Sequence, residues 1–218
     1  MSVKSLTWLG VVMGLIACSP NEGDAIRADV SSLDVVFQDD VHTATFAGGC
    51  FWCTEAVFER VIGVRDVVSG YTGGIKPNPT YKEVSYGRTE HAEGVQIFYD
   101  PAKISYAELV EIFFGTHDPT TLNRQGPDIG KQYRSAVYYH NNEQKKIVTD
   151  HIARLTKDVV YTDAIVTQVE PFKAFYEAED YHQDYYRKHP NHPYILSVAK
   201  PKVEKFKKKF KDKLKAAS

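Results

Sequence analysis

The chain has 218 residues, 43% hydrophobic and 12% aromatic, with a formal charge of −1 and a pI near 6.7. That length supports one sizeable core and leaves little for a second. The near-neutral balance excludes a protein organised around a polyanion, so no nucleic-acid partner is expected.

The N-terminus carries Lys4, the apolar run "LTWLGVVMGLIA" and then Cys18. The run is too short and too weakly flanked for a membrane span and reads as a signal peptide over 1–17. Its end, "LIAC", resembles the bacterial lipobox, in which the Cys is lipidated and becomes the mature N-terminus. An ordinary signal peptide or an uncleaved anchor is the alternative. Residues 18–40 then read as a lipidated Cys18 and a polar tether. A protein anchored to a membrane of the cell envelope, facing the periplasm or another extracytoplasmic side, is expected. Cys50 and Cys53 remain for thiol chemistry.

From residue 42 the chain alternates between strand and helix patterns. "HTATFAGG" reads as a strand ending in a glycine turn, and "CFWCTEAVFERV" as a helix with Cys50 at or near its start. "VRDVVSGY" is a second strand and "TGGIKPNPTY" a loop rich in Gly and Pro. A strand over 93–100 precedes a helix capped by Ser105, with Leu109, Ile112 and Phe113 on one face. A polar loop over 118–134, a strand "SAVYYH", a helix over 142–156, a strand "AIVTQVE" and a helix over 178–188 follow. The pattern implies an α/β or α+β domain over 41–199. A lysine-rich helix over 200–218 places Val203, Phe206, Phe210 and Leu214 on one stripe. It reads as a closing helix with a solvated lysine face, or as a contact with an anionic membrane.

The two cysteines of "AGGCFWCTEAVF" stand three apart, which lets their sulfurs share one helical face. A thiolate at a helix N-terminus is stabilised by free N–H groups and the helix dipole, so Cys50 is expected to be acidified and Cys53 is not. That asymmetry suits a nucleophile and a resolving thiol. A zinc knuckle would need two further ligands, and the histidines are scattered, so no metal is expected. A thioredoxin-like oxidoreductase of the envelope, an interaction module and an inert buried pair stay open on spacing alone.

The longer motifs narrow the choice. "GGCFWCTE", "GYTGG", "PTYKEVSYGRTEHAEGVQIFYDP", "HDPTTLNRQGPDIGKQYRSAVYY" and "FYEAEDYHQDYY" together closely resemble the A-type methionine sulfoxide reductases, peptide-methionine (S)-S-oxide reductases. The resemblance implies an α+β, two-layer sandwich with a ferredoxin-like core, and reduction of the S epimer of methionine sulfoxide, free or in proteins. It implies no cofactor, only an external thiol reductant such as thioredoxin, and a monomer is expected. By the same resemblance, Cys50 attacks the sulfoxide sulfur and becomes a sulfenic acid, and Glu93 protonates the oxygen. A carboxyl can serve so near pH 7 only if burial raises its pKa. Tyr81 and Tyr133 match the phenols that hydrogen-bond the oxygen, and Asp128 a polar residue that orients a phenol or water. Phe51 and Trp52 match the aromatic wall around the substrate methyl.

The chain departs from a common family pattern. Its tail is lysine-rich where many members carry resolving cysteines, and Cys53 stands where other members have Gly. Cys53 is therefore expected to resolve the sulfenic acid. His182, in "YHQDYY", is expected to be a buried, hydrogen-bonded structural residue.

Overall fold

The computed structural model describes residues 40–216; the expected signal peptide, Cys18 and nearly all of the expected 18–40 tether lie outside them. Strand β1 (His42–Gly48) leads into helix α1 (Phe51–Phe58), strand β2 (Val64–Thr72) and a short helix α2 (Tyr81–Ser85). Strand β3 (Ala92–Tyr99) and helix α3 (Tyr106–Thr116) follow, then a small hairpin of β4 (Arg124–Gln125) and β5 (Asp128–Ile129). Next come β6 (Ser135–Tyr139), α4 (Asn142–Lys157), β7 (Gln168–Pro171), β8 (Phe175–Glu177), α5 (Tyr185–Lys188) and α6 (Lys200–Lys209).

Six strands form one sheet in the order β7-β6-β1-β3-β2-β8, giving a mixed α/β fold. Neighbours run antiparallel except β6 and β7, which are parallel. The central strands are covered on both sides, so β1 reads as a run of buried residues at its end instead of alternating. Phe46 stacks on Phe113 of α3 at 4.8 Å and packs against Phe58 of α1 at 5.6 Å, fixing both helices on one face. The turn from β1 to α1 needs Gly49: its φ is +96°, and a Cβ there would meet Gln125 Cβ at 2.6 Å.

Several elements differ from the sequence reading, each for a local reason. The loop before Tyr81 ends in α2 because Thr80 and Glu83 form a reciprocal capping box. The expected helix over 178–188 is broken: Asp184 takes a left-handed conformation (φ 58°), leaving a single turn at Asp180–His182 and the short α5. The polar 118–134 loop holds the β4–β5 hairpin, and the edge strand β8 went unread. The lysine-rich tail is not one helix to residue 218. After a wide π-type turn (Ile195–Ala199), α6 stops at Lys209, and Leu214 pairs with Val61 through an isolated β-bridge.

Val203, Phe206 and Phe210 are buried in the main core, which accounts for the apolar stripe without a membrane. Among the described residues no helix is long and apolar enough to cross one. Removing the Phe206 ring leaves a cavity where the tail meets the core. Phe206→Ala is expected to destabilise the protein by about 3–5 kcal/mol, read from the urea midpoint at unchanged m-value. A loss below about 1 kcal/mol would show the tail to be peripheral.

Candidate active site

At the C-terminal end of β1 the chain turns sharply and enters α1. Cys50 is the cap residue of that helix but offers no side-chain cap. The N–H of Phe51, unsatisfied within the helix, donates instead to Glu93 Oε2 at 3.1 Å. Glu93 sits on β3 opposite Tyr71 of β2, so the sheet register carries the carboxyl to the start of the helix.

Cys50, Phe51, Trp52, Tyr81, Glu93, Asp128, Tyr133 and Tyr194 line a cavity of about 170 Å³. It holds seven of the eight residues that the sequence marked as catalytic or substrate-binding. Cys53 lies behind it, buried, with its sulfur 3.9 Å from the Tyr194 hydroxyl. Cys18 lies outside the described residues. Among the described residues no group of His, Cys, Asp and Glu could hold a metal ion.

The aromatic wall is held from behind. Trp52 Nε1–H donates to His182 Nδ1 at 3.1 Å, and its ring stacks on Tyr185 at 3.7 Å, nearly parallel at 6°. His182 is buried, packs against Phe51 and Tyr81, and has its pKa lowered by burial, so it acts as a neutral acceptor. Glu179 ties the second wall: its carboxylate accepts from Tyr71 Oη–H at 2.8 Å and from the Tyr81 N–H at 2.9 Å. Burial pushes the phenol of Tyr81 up to about 12 and that of Tyr133 higher, so both remain donors.

Two features escaped the sequence reading. Tyr194 reaches the cavity from the segment before α6, donates to Asp128 Oδ2 at 2.6 Å, and lies 3.9 Å from Cys53 Sγ. Asp128 thus orients a phenol, but neither of the two expected ones. No local motif marks Tyr194; only tertiary packing brings it there. The second is the acidity of the thiols. Burial, and after it the neighbouring Cys53, push Cys50 well above the usual thiol range. The hydrogen bond from Cys50 and the charge of Lys202 lower Cys53. The expected order is reversed because the helix-start N–H is spent on Glu93 and Cys50 is buried.

The peptide methionine sulfoxide reductase family profile matches residues 42–214. The chain belongs to that family. It is 53% identical over 189 residues to peptide methionine sulfoxide reductase MsrA 1 of Rhodopirellula baltica, covering 87% of this chain and 97% of that protein. It is 57% identical over 173 residues to the MsrA of Sulfolobus acidocaldarius, covering 79% and 97%. The reduced form of Mxr1 from Saccharomyces cerevisiae superposes with a TM-score of 0.64 at 37% identity, over 70% of this chain and 87% of that one. The mixed α/β sheet is thus the one found in solved members of the family, and the protein is an oxidoreductase.

In this reductase the acid stands out. Burial raises Glu93 from 4.5 to about 8, against the lowering effect of the Phe51 N–H, so it is protonated at neutral pH. The folded value lies above the unfolded one, so the Glu93 contribution to stability is complete below about 4.5. It is lost as pH rises through about 8. Glu93→Gln keeps an acceptor for Phe51 and removes the titration. Wild type is expected to lose a few kcal/mol relative to the variant between about pH 5 and pH 9 in denaturant titrations. Parallel pH curves would place the Glu93 titration elsewhere.

Proposed function

We propose that the protein reduces the S epimer of methionine sulfoxide, free or in oxidised proteins, and so repairs them. The observation that carries this is the shared cavity of Cys50 and a protonated Glu93, walled by Phe51 and Trp52. The methyl packs on the rings, while the oxygen takes hydrogen bonds from Glu93, Tyr81 and Tyr133. Fixing the oxygen and the methyl while the chain leaves toward solvent presents one hand of a pyramidal sulfur to Cys50. The family resemblance assigns that hand as S.

Glu93 gives its proton to the sulfoxide oxygen and, as a carboxylate, accepts the proton of the Cys50 thiol. Cys50 Sγ attacks the sulfur; the oxygen passes to Cys50 as a sulfenic acid and methionine leaves. Overall, one thiol and one sulfoxide give one sulfenic acid and one thioether. Cys53 then closes on Cys50 with release of water, and a thioredoxin-like dithiol reduces the disulfide. No further cofactor takes part.

The order β6-β1-β3-β2, with α1 and α3 as the crossovers, supports reading the core as a ferredoxin-like two-layer unit. The "LIAC" motif supports lipidation at Cys18 after removal of 1–17, with 18–40 as tether to a catalytic domain at the periplasmic or other extracytoplasmic side of a membrane. Acylation of Cys18 is read directly by mass spectrometry of the native N-terminal peptide; an unmodified Met1 or Cys18 would remove the anchor.

An epimer-resolved assay with N-acetyl-methionine sulfoxide and dithiothreitol tests the activity. Consumption of the S epimer alone is expected, with Cys50→Ser inactive and Glu93→Gln slowed by about 10²–10⁴-fold. Consumption of the R epimer, or activity surviving Cys50→Ser, would overturn the reading. With Cys53→Ser, a dimedone adduct should accumulate on Cys50 after one turnover.

A further inference from the structure

Cys53 has a second face, away from the substrate cavity. There it lines a small space of about 10 Å³ with His117 and Lys202, among others. Such a space holds no more than one water. The Nζ of Lys202 is buried and has no hydrogen-bond partner among the described residues. A buried ammonium without an acceptor is a costly placement, and this one is set against a thiol that must become an anion to act. We propose that Lys202, from the lysine-rich tail, is the positioning residue that holds Cys53 as a thiolate for the resolving step.

The competing group at this wall is His117, and its geometry removes it. Its Nδ1 bonds the Phe113 carbonyl at 2.7 Å and its Nε2 the Ser135 hydroxyl at 2.7 Å. Burial lowers its pKa to about 4, so it is neutral at working pH. From the other elements, Cys53 faces the Cys50 thiol, the Tyr194 hydroxyl and, further off, the Asp128 carboxylate, which opposes a second anion. Lys202 is the cation of this set, and its charge acts in the direction required. The substrate-side nucleophile is kept neutral by burial while its partner, one turn deeper, is given a counter-charge.

In the step served, Cys53 Sγ attacks Cys50 Sγ. An S–S bond forms, the S–O bond of the sulfenic acid breaks, and the hydroxyl leaves as water with the proton Cys53 gave up. The Cys53 sulfur is oxidised as the Cys50 sulfur is reduced, so no outside reactant is needed. The inference rests on Cys53 being the resolving thiol, and the two are tested separately.

The thiolate of Cys53 can be titrated without turnover. The readout is the ultraviolet absorbance of Cys50→Ser minus that of Cys50→Ser/Cys53→Ser across pH. Adding Lys202→Met is expected to raise the Cys53 pKa by about one unit, leaving about tenfold less thiolate at neutral pH. Lys202→Arg should return the curve toward wild type, and the exposed Lys208→Met should leave it in place. An unchanged titration in folded Lys202→Met, or in Lys202→Gln should the first fail to fold, would overturn the proposal.

In the otherwise unmodified enzyme, rapid quench after one equivalent of sulfoxide follows methionine release and disulfide formation. A less acidic thiol is the stronger nucleophile, which returns part of the loss. Lys202→Met should therefore slow disulfide formation by roughly three- to fourfold while leaving methionine release unchanged. Equal slowing of both steps would indicate a structural role and sink the assignment. If Cys53→Ser instead turns over with thioredoxin at the wild-type rate, the resolving role falls while the titration still judges Lys202.

Discussion

The hydrogen bond from the Phe51 N–H to Glu93 sets the terms for the whole site. A helix cannot satisfy its first N–H groups internally, and Cys50 supplies no side-chain cap. Glu93 serves instead, at 3.1 Å, from a strand two positions away in chain order. One contact therefore closes the β1–α1 turn against the sheet and brings an acid beside a thiol. A carboxyl that accepts one N–H in a buried place keeps its proton, because a single neutral donor does not offset the loss of water. With Oε2 accepting from Phe51, Oε1 is the oxygen left free of that bond.

Preorganisation extends outward from that contact through groups that never face the substrate. His182 accepts from Trp52, Glu179 holds both Tyr71 and the start of α2, and Asp128 holds Tyr194. A buried polar network of this kind fixes ring orientation in advance, so little reorganisation is left for the reaction. The kinked segment around Asp184 belongs to the same device. Its backbone N–H donates to Glu55 Oε1 at 3.1 Å, tying the start of α5, and hence Tyr185, to the helix that carries Trp52.

How much of this was legible in the sequence depends on how local the cause was. Strands β1, β2, β3 and β6 and helices α3 and α4 follow from periodicity and, for α3, from the cap at Ser105. The cavity residues were found through long motifs, since a Glu before a strand or a Tyr in a loop has no chemistry of its own in sequence. Asp184 was missed because a left-handed non-glycine residue is held by tertiary bonds that no propensity reports. Tyr194 was missed because no local motif marks it, and Lys202 because it comes from a tail whose composition suggested solvent. Lysine counts say nothing about which single ammonium turns inward.

The acidity of the two thiols shows where the local argument failed. A cysteine at a helix start is acidic when its sulfur receives the free N–H groups and some solvent. Here the Phe51 N–H is committed to Glu93 and the cavity is walled by rings, so desolvation governs Cys50. A neutral thiol beside a neutral acid is a stable resting pair. On the proposed mechanism a sulfoxide oxygen takes the Glu93 proton, which leaves a base for the thiol, so the nucleophile is armed only when substrate is present. Cys53 lies outside that control, with its own hydrogen bond from Cys50 and its own cation behind it. On the proposed mechanism, oxidation of Cys50 removes its S–H from beside Cys53, and the resolving thiol then depends on the charge at its back.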